Sequence, residues 1–188
     1  MSHWPQPSQF ASHQATISSW SSLGMLNGIG SGNVPFSGTM GTAPKLYAFP
    51  FRLARPMLAQ RAFWLNGATV AGNITVGVYG CTPGGHSDGA EIKLAETSST
   101  AQSGINAIQS VAIGPIYLMP GLYYGAFLFD NSTMTMFRSS SNLTVSEGRH
   151  VGNYLRTLGS YALPATLGTP RVAEFAMPVF GLATQTVI

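Results

Sequence analysis

Short extended runs of alternating character decide what this chain can fold into. Between Asn73 and Tyr79 (NITVGVY), Ile74, Val76 and Val78 fall on one face of an extended backbone and Thr75, Gly77 and Tyr79 on the other. That is the period-two pattern of a half-buried strand. Related stretches recur at Lys45–Phe51, Met57–Leu65, Ile92–Thr97, Ala107–Ile113, Met134–Arg138 and Glu174–Leu182. Turn signals separate them: Asn66-Gly67, the Gly-rich stretch 81–90, Met119-Pro120-Gly121 and Asn131-Ser132-Thr133. Pro50 and Pro178 each mark an edge or a bulge. No long helical periodicity competes with this pattern. About eight short strands at fairly even spacing predict an all-β protein, a two-sheet antiparallel β-sandwich of jelly-roll-like type.

Leu122–Asp130 (LYYGAFLFD) is the one run apolar at both alternating sets of positions, as a central strand covered on both faces requires. Leu122, Tyr124, Ala126 and Leu128 are expected between the sheets. Tyr123, Phe127 and Phe129 are expected at a second covered surface, either a subunit interface or a folded-back arm. Gly72 and Gly121 are expected to supply positive φ at tight turns. Residues 139–168 are less regular, rich in Ser, Gly and Leu.

The strand pattern begins at Lys45, which is also the first charged residue. Residues 1–44 hold no Asp, Glu, Lys or Arg, yet they contain Trp4, Phe10, Trp20 and Phe36. A free solvated tail is ordinarily charged and poor in aromatics. The composition therefore predicts an extended assembly arm over 1–44 that lies on a protein surface, followed by a sandwich domain over 45–188. Trp4, Phe10, Trp20, Phe36, Phe127 and Phe129 are the expected assembly contacts. A short helical turn is expected within Ser18–Leu26.

Composition narrows the function classes. Charged residues are 8 % of the chain, against about 25 % in an average soluble domain. So few charges on a small domain favour association. The net charge is +3, with no dense Lys/Arg stripe beyond Arg52, Arg55 and Arg61, so a nucleic-acid partner is not expected. No apolar run approaches the roughly 18 residues of a membrane span, and no signal-peptide pattern is present, so the chain is expected to be made in the cytoplasm without a membrane partner. Cys81 is the single cysteine, which excludes an intrachain disulfide. Asn27–Asn33 is Gly-rich but lacks the Lys-Ser/Thr of a phosphate loop. His86, Asp88 and Glu91 share one loop, where hydrophilic loop residues are the simpler account; His3, His13 and His150 have no ligand spacing. No nucleophile elbow or carboxylate couple stands out. No enzyme, cofactor or metal is expected.

One set of segments is familiar. Arg61–Tyr79 (RAFWLNGATVAGNITVGVY), Ser99–Gly104 (STAQSG), Pro120–Tyr124 (PGLYY) and Phe127–Asn131 (FLFDN) occur in that order. They resemble β-sandwich structural proteins of tailed bacteriophages, of head-decoration or tail-fibre type, over roughly 45–138. The resemblance implies a virion component without saying which part of the particle; with the uncharged arm, the expectation is a non-enzymatic protein that homo-oligomerises, most simply as a trimer, and contacts the major capsid or other virion proteins. Where such proteins carry an acidic turn after the tyrosine, this chain has Gly80-Cys81-Thr82, so a metal at that turn is not expected. The alternative is a carbohydrate-binding module for a host-surface glycan, with Trp64, Tyr79, Tyr123 and Tyr124 as stacking platforms.

Overall fold

The computed structural model describes residues 36–39, 44–53, 55–80, 91–138, 154–168 and 178–184. They form strands β1 (Phe36–Thr39), β2 (Lys45–Leu53), β3 (Met57–Leu65), β4 (Asn73–Gly80), β5 (Ile92–Glu96), β6 (Thr100–Ala101), β7 (Ile108–Leu118), β8 (Gly121–Phe129), β9 (Thr135–Arg138), β10 (Tyr154–Thr157) and β11 (Phe180–Ala183), with no helix among the described residues. The larger sheet runs β10-β2-β8-β4-β5, with β6 also on β4, and the smaller runs β11-β3-β7. All pairings are antiparallel, and the two sheets pack face to face as a β-sandwich.

The most apolar strand is central, as its pattern requires. β8 pairs with β2 from Lys45–Phe129 to Leu53–Gly121 and, on its other side, with β4 from Ile74–Phe129 to Gly80–Tyr123. Pro50 lies beyond the Lys45–Ala48 stretch that β10 pairs with, and among the described residues none pairs with it on that side, as suits a proline in a strand. In β7, a long edge strand, Gly114-Pro115 falls within the bulge opposite Ala59–Arg61, and Gly114 takes φ +81°. A bulge and a proline there blunt an edge that would otherwise invite pairing.

Two cores result, and they reverse the faces expected of β8. Phe127 and Phe129 belong to the main core between the sheets, with Tyr123 packed against it. Phe127 stacks on Phe49 at 5.9 Å and on Phe129 at 6.0 Å, and meets Phe180 edge-on at 5.2 Å and Trp64 at 6.5 Å. Tyr124, Ala126 and Leu128 point the other way, into a second core with Leu46, Ala48, Tyr79, Leu163 and Leu167; Leu122 packs against it. The cover over this second face is the chain's own 158–168 segment. Gly77 leaves the space into which Leu163 fits, where a Cβ would come within 2.7 Å of Leu163 Cδ1. Tyr79 Oη donates to Pro164 O at 2.7 Å, Lys93 N to Ala165 O at 2.9 Å and Lys93 Nζ to Leu163 O at 3.0 Å. Two-sided burial of β8 thus arises within one chain.

Several boundaries also differ from the sequence reading. A strand precedes Lys45: β1 pairs with β9, Phe36 opposite Arg138 and Thr39 opposite Thr135. β9 pairs with β1, although the Asn131-Ser132-Thr133 turn sets it directly after β8 in the chain. Asn66-Gly67 does not turn β3 back on itself; it starts a crossing to the larger sheet. Gly72 has φ +68°, as expected, but Gly121 is not among the positive-φ residues. Trp4, Phe10 and Trp20, the turn expected in 18–26, Cys81 and all four histidines lie outside the described residues.

Candidate assembly surface

The segments that carry the family resemblance form a polar clasp. Asn66 is fully buried at the end of β3. Its Oδ1 accepts from Trp64 Nε1 at 2.9 Å, and its Nδ2 donates to Ser103 O and, at 3.0 Å, to Gln109 Oε1. Gln109 Oε1 also accepts from Ser103 N at 3.0 Å, while Gln109 Nε2 donates to Ala101 O at 2.7 Å. Gln102 accepts from Ala71 N at 3.0 Å and donates to Thr135 O at 2.7 Å. At the neighbouring corner, Asp130 takes hydrogen bonds from Asn73 N and Nδ2, both at 2.6 Å. The STAQSG stretch therefore binds the sheet crossing, β4 and β9 into one end of the sandwich. The side-chain amides of Asn66 and Gln102, both buried, are engaged by these bonds, as buried polar groups require.

Chemistry elsewhere is equally sparse. Among the described residues no three His, Cys, Asp or Glu side chains gather to hold a metal. Glu91 is 1 % exposed, and among the described residues neither carboxyl oxygen has a hydrogen-bond partner. It borders the 81–90 loop, and His86 and Asp88, read with it in the sequence, lie outside the described residues. Burial pushes the Tyr79 phenol far up, and the nearby Glu96 carboxylate adds to the shift. Burial likewise raises Tyr47, against a lowering by Arg138, and raises Tyr161, against hydrogen bonds from Thr75 and Ser99. These phenols stay neutral and act as packing groups with one polar end.

Of the four aromatics considered for sugar stacking, three are core residues and Tyr123 is half-buried. Trp64, Tyr79 and Tyr124 are fully buried, and Tyr123 packs on Phe51 at 5.8 Å and donates to Met119 O at 2.8 Å. Phe127 and Phe129, expected as assembly contacts, are likewise core residues with no surface to offer a partner. Phe36 opens β1, and its backbone pairs with Arg138 of β9 in a separate two-stranded sheet.

What the surface does offer is apolar. Leu58 and Tyr117 sit directly opposite each other on β3 and β7, 41 % and 66 % exposed, with Met119 56 % exposed just beyond. Their neighbours Met57 and Leu118 face the main core, so alternation turns this pair to the outer face of the smaller sheet. Ile92 and Leu94 are also exposed, on edge strand β5. The outer face of an antiparallel sheet is ordinarily polar where it meets water. The sequence reading passed over these residues, although a signal was there. Met57-Leu58 and Ile116-Tyr117-Leu118-Met119 are consecutive apolar residues, and adjacency in a strand forces every second one outward.

Comparison with protein-family models and with curated proteins finds no match.

Proposed function

We propose that this chain is a non-enzymatic structural protein of a bacteriophage particle, a capsid-decoration protein or a related tail component that assembles as a homo-oligomer. The observation that carries the reading is the exposed cross-strand pair Leu58–Tyr117 with Met119 on a sheet face that water would otherwise favour as polar. Apolar groups gathered at a surface mark interaction sites, and aromatic residues dominate the energy of such contacts. The scarcity of charge points the same way. So does the resemblance to phage sandwich proteins, whose shared residues here serve the clasp and the central strand. Carbohydrate binding, the other reading, is weakened because three of its four named platforms, Trp64, Tyr79 and Tyr124, are buried.

The test is the mass of the purified protein by sedimentation, together with a glycan array. The proposal expects an oligomer, a trimer in its simplest form, that persists in molar NaCl, and no glycan signal. A monomer at all concentrations that binds a defined glycan would replace this reading with the other.

A further inference from the structure

Phe63 and Ala183 are buried, 2 % and 1 % exposed, yet alone among the described buried apolar residues they belong to neither core. Both lie on the outer face of the smaller sheet. Ala62, Trp64 and Leu182 point into the main core, so alternation sends Arg61, Phe63, Gly181 and Ala183 outward. Phe63 stands opposite Gly181, and Arg61 opposite Ala183. The Phe63 ring lies across Gly181, where an added Cβ would overlap it. None of these outward residues is acidic. The guanidinium of Arg61 is engaged by Ser110, donating from Nε to Oγ at 2.9 Å and from Nη2 to the carbonyl at 2.7 Å.

Water is kept from the Phe63–Ala183 part of this face, and the described strands do not form a layer over it. The β1–β9 pair is joined edge-on, through the Asn66–Met136 and Arg138–Pro178 bridges. The path of the chain supplies an occupant. β1 begins at Phe36, opposite Arg138, and Arg138 bridges Pro178, two residues before β11. Residues 1–35 therefore join the fold at the β11 margin of this same face. They carry no charged residue and include Trp4, Phe10 and Trp20, a composition suited to a face of small and apolar groups whose one cation, Arg61, is hydrogen-bonded to Ser110.

We propose that residues 1–35 seat on the outer face of the β11–β3–β7 sheet, against Phe63 and Ala183. The covered β11 half of the face then holds the arm, while the open Leu58–Tyr117 half remains for neighbours. The inference goes beyond the assembly reading and does not rest on it.

The test is photo-cross-linking in the full chain, with p-benzoylphenylalanine replacing Phe63 and, separately, the exposed Ala112 opposite Arg61, which tolerates a bulky ring if position 63 does not. Cross-linked peptides should map to residues 1–35. Peptides from 139–153, 169–177 or 184–188, or no cross-link at either position, would overturn the proposal. A second readout uses Phe63→Cys with Cys81→Ser. The new thiol should react with a soluble thiol reagent about tenfold faster or more once Trp4, Phe10 and Trp20 are replaced by serine, as expected when a local cover is lost. An unchanged rate counts against the arm as the cover. A monomeric protein that still cross-links to 1–35 would sink the assembly reading and leave this one standing.

Discussion

Phe127→Ala tests which side of β8 is the centre of the molecule. Phe127 is fully buried and touches four other rings, stacked on Phe49 and Phe129 and edge-on to Phe180 and Trp64. Truncating a buried Phe to Ala costs about 3–5 kcal/mol through lost transfer energy and the cavity left behind. Aromatic pairs add about 0.5–1.5 kcal/mol each beyond burial, so the upper half of that range, about 4–5 kcal/mol, is expected here. In a chain of this size each kcal/mol moves the melting temperature by about 2–4 °C, which places the loss at about 8–20 °C. Leu128→Ala, on the opposite face beneath 158–168, should cost less, about 2–4 kcal/mol, because that thinner cover can settle onto the gap. Thermal and urea unfolding of both variants measure this, with sedimentation run alongside. If Phe127→Ala left monomer stability nearly intact and instead broke up the oligomer, Phe127 would be an interface residue and the present assignment of the two cores would be wrong.

Three further outcomes are expected. Asn66→Ala removes the acceptor for Trp64 Nε1 and the donor to Ser103 and Gln109; a buried donor left unpaired costs about 1–3 kcal/mol, so urea unfolding should show a loss of about 3 kcal/mol, and a neutral result would mean that the clasp does not hold the sheet crossing. The phenols of Tyr79, Tyr47 and Tyr161 are raised by burial; a folded-state shift upward stabilises below the unfolded value and is lost above it, so stability should be level through neutral pH and fall as pH climbs past about 10. Tyrosinate absorbance that rose well before unfolding would contradict this. Tyr117→Ser should move monomer stability by no more than about 0.5 kcal/mol but weaken self-association by about 2 kcal/mol or more; equal sedimentation of variant and parent would remove Tyr117 from the interface.

The sandwich was legible because β4 alternates cleanly and strong turn signals bound its neighbours. The faces of β8 were not legible, since a strand apolar at every position carries no parity. What decides them is the pair of surfaces they meet: Trp64 and Phe180 on one side, Leu163 and Leu167 on the other. The second of these comes from an irregular stretch whose leucines show no period, so nothing local marks it as a cover. β1 was missed for a similar reason: Phe-Ser-Gly-Thr has no alternation, and its pairing with β9 joins residues about a hundred positions apart. Asn66 read as a turn residue because Asn-Gly is a turn signal; its burial depends on Ser103 and Gln109, distant in sequence. Leu58, Tyr117 and Met119 could have been found by asking which apolar residues adjacent in a strand must point outward.

The proposed function makes this protein a stoichiometric part of a phage particle, held mainly by apolar contacts. Sedimentation of intact particles through a density gradient in molar NaCl, followed by quantitative mass spectrometry of the particle band, tests it most directly. Screening at that salt confines electrostatic attraction to about 3 Å, so only contacts of the Leu58–Tyr117 kind would survive. The account predicts the chain in the particle band at a fixed copy number in every preparation. Its absence from the band while it remains as free protein at the top of the gradient would contradict the claim.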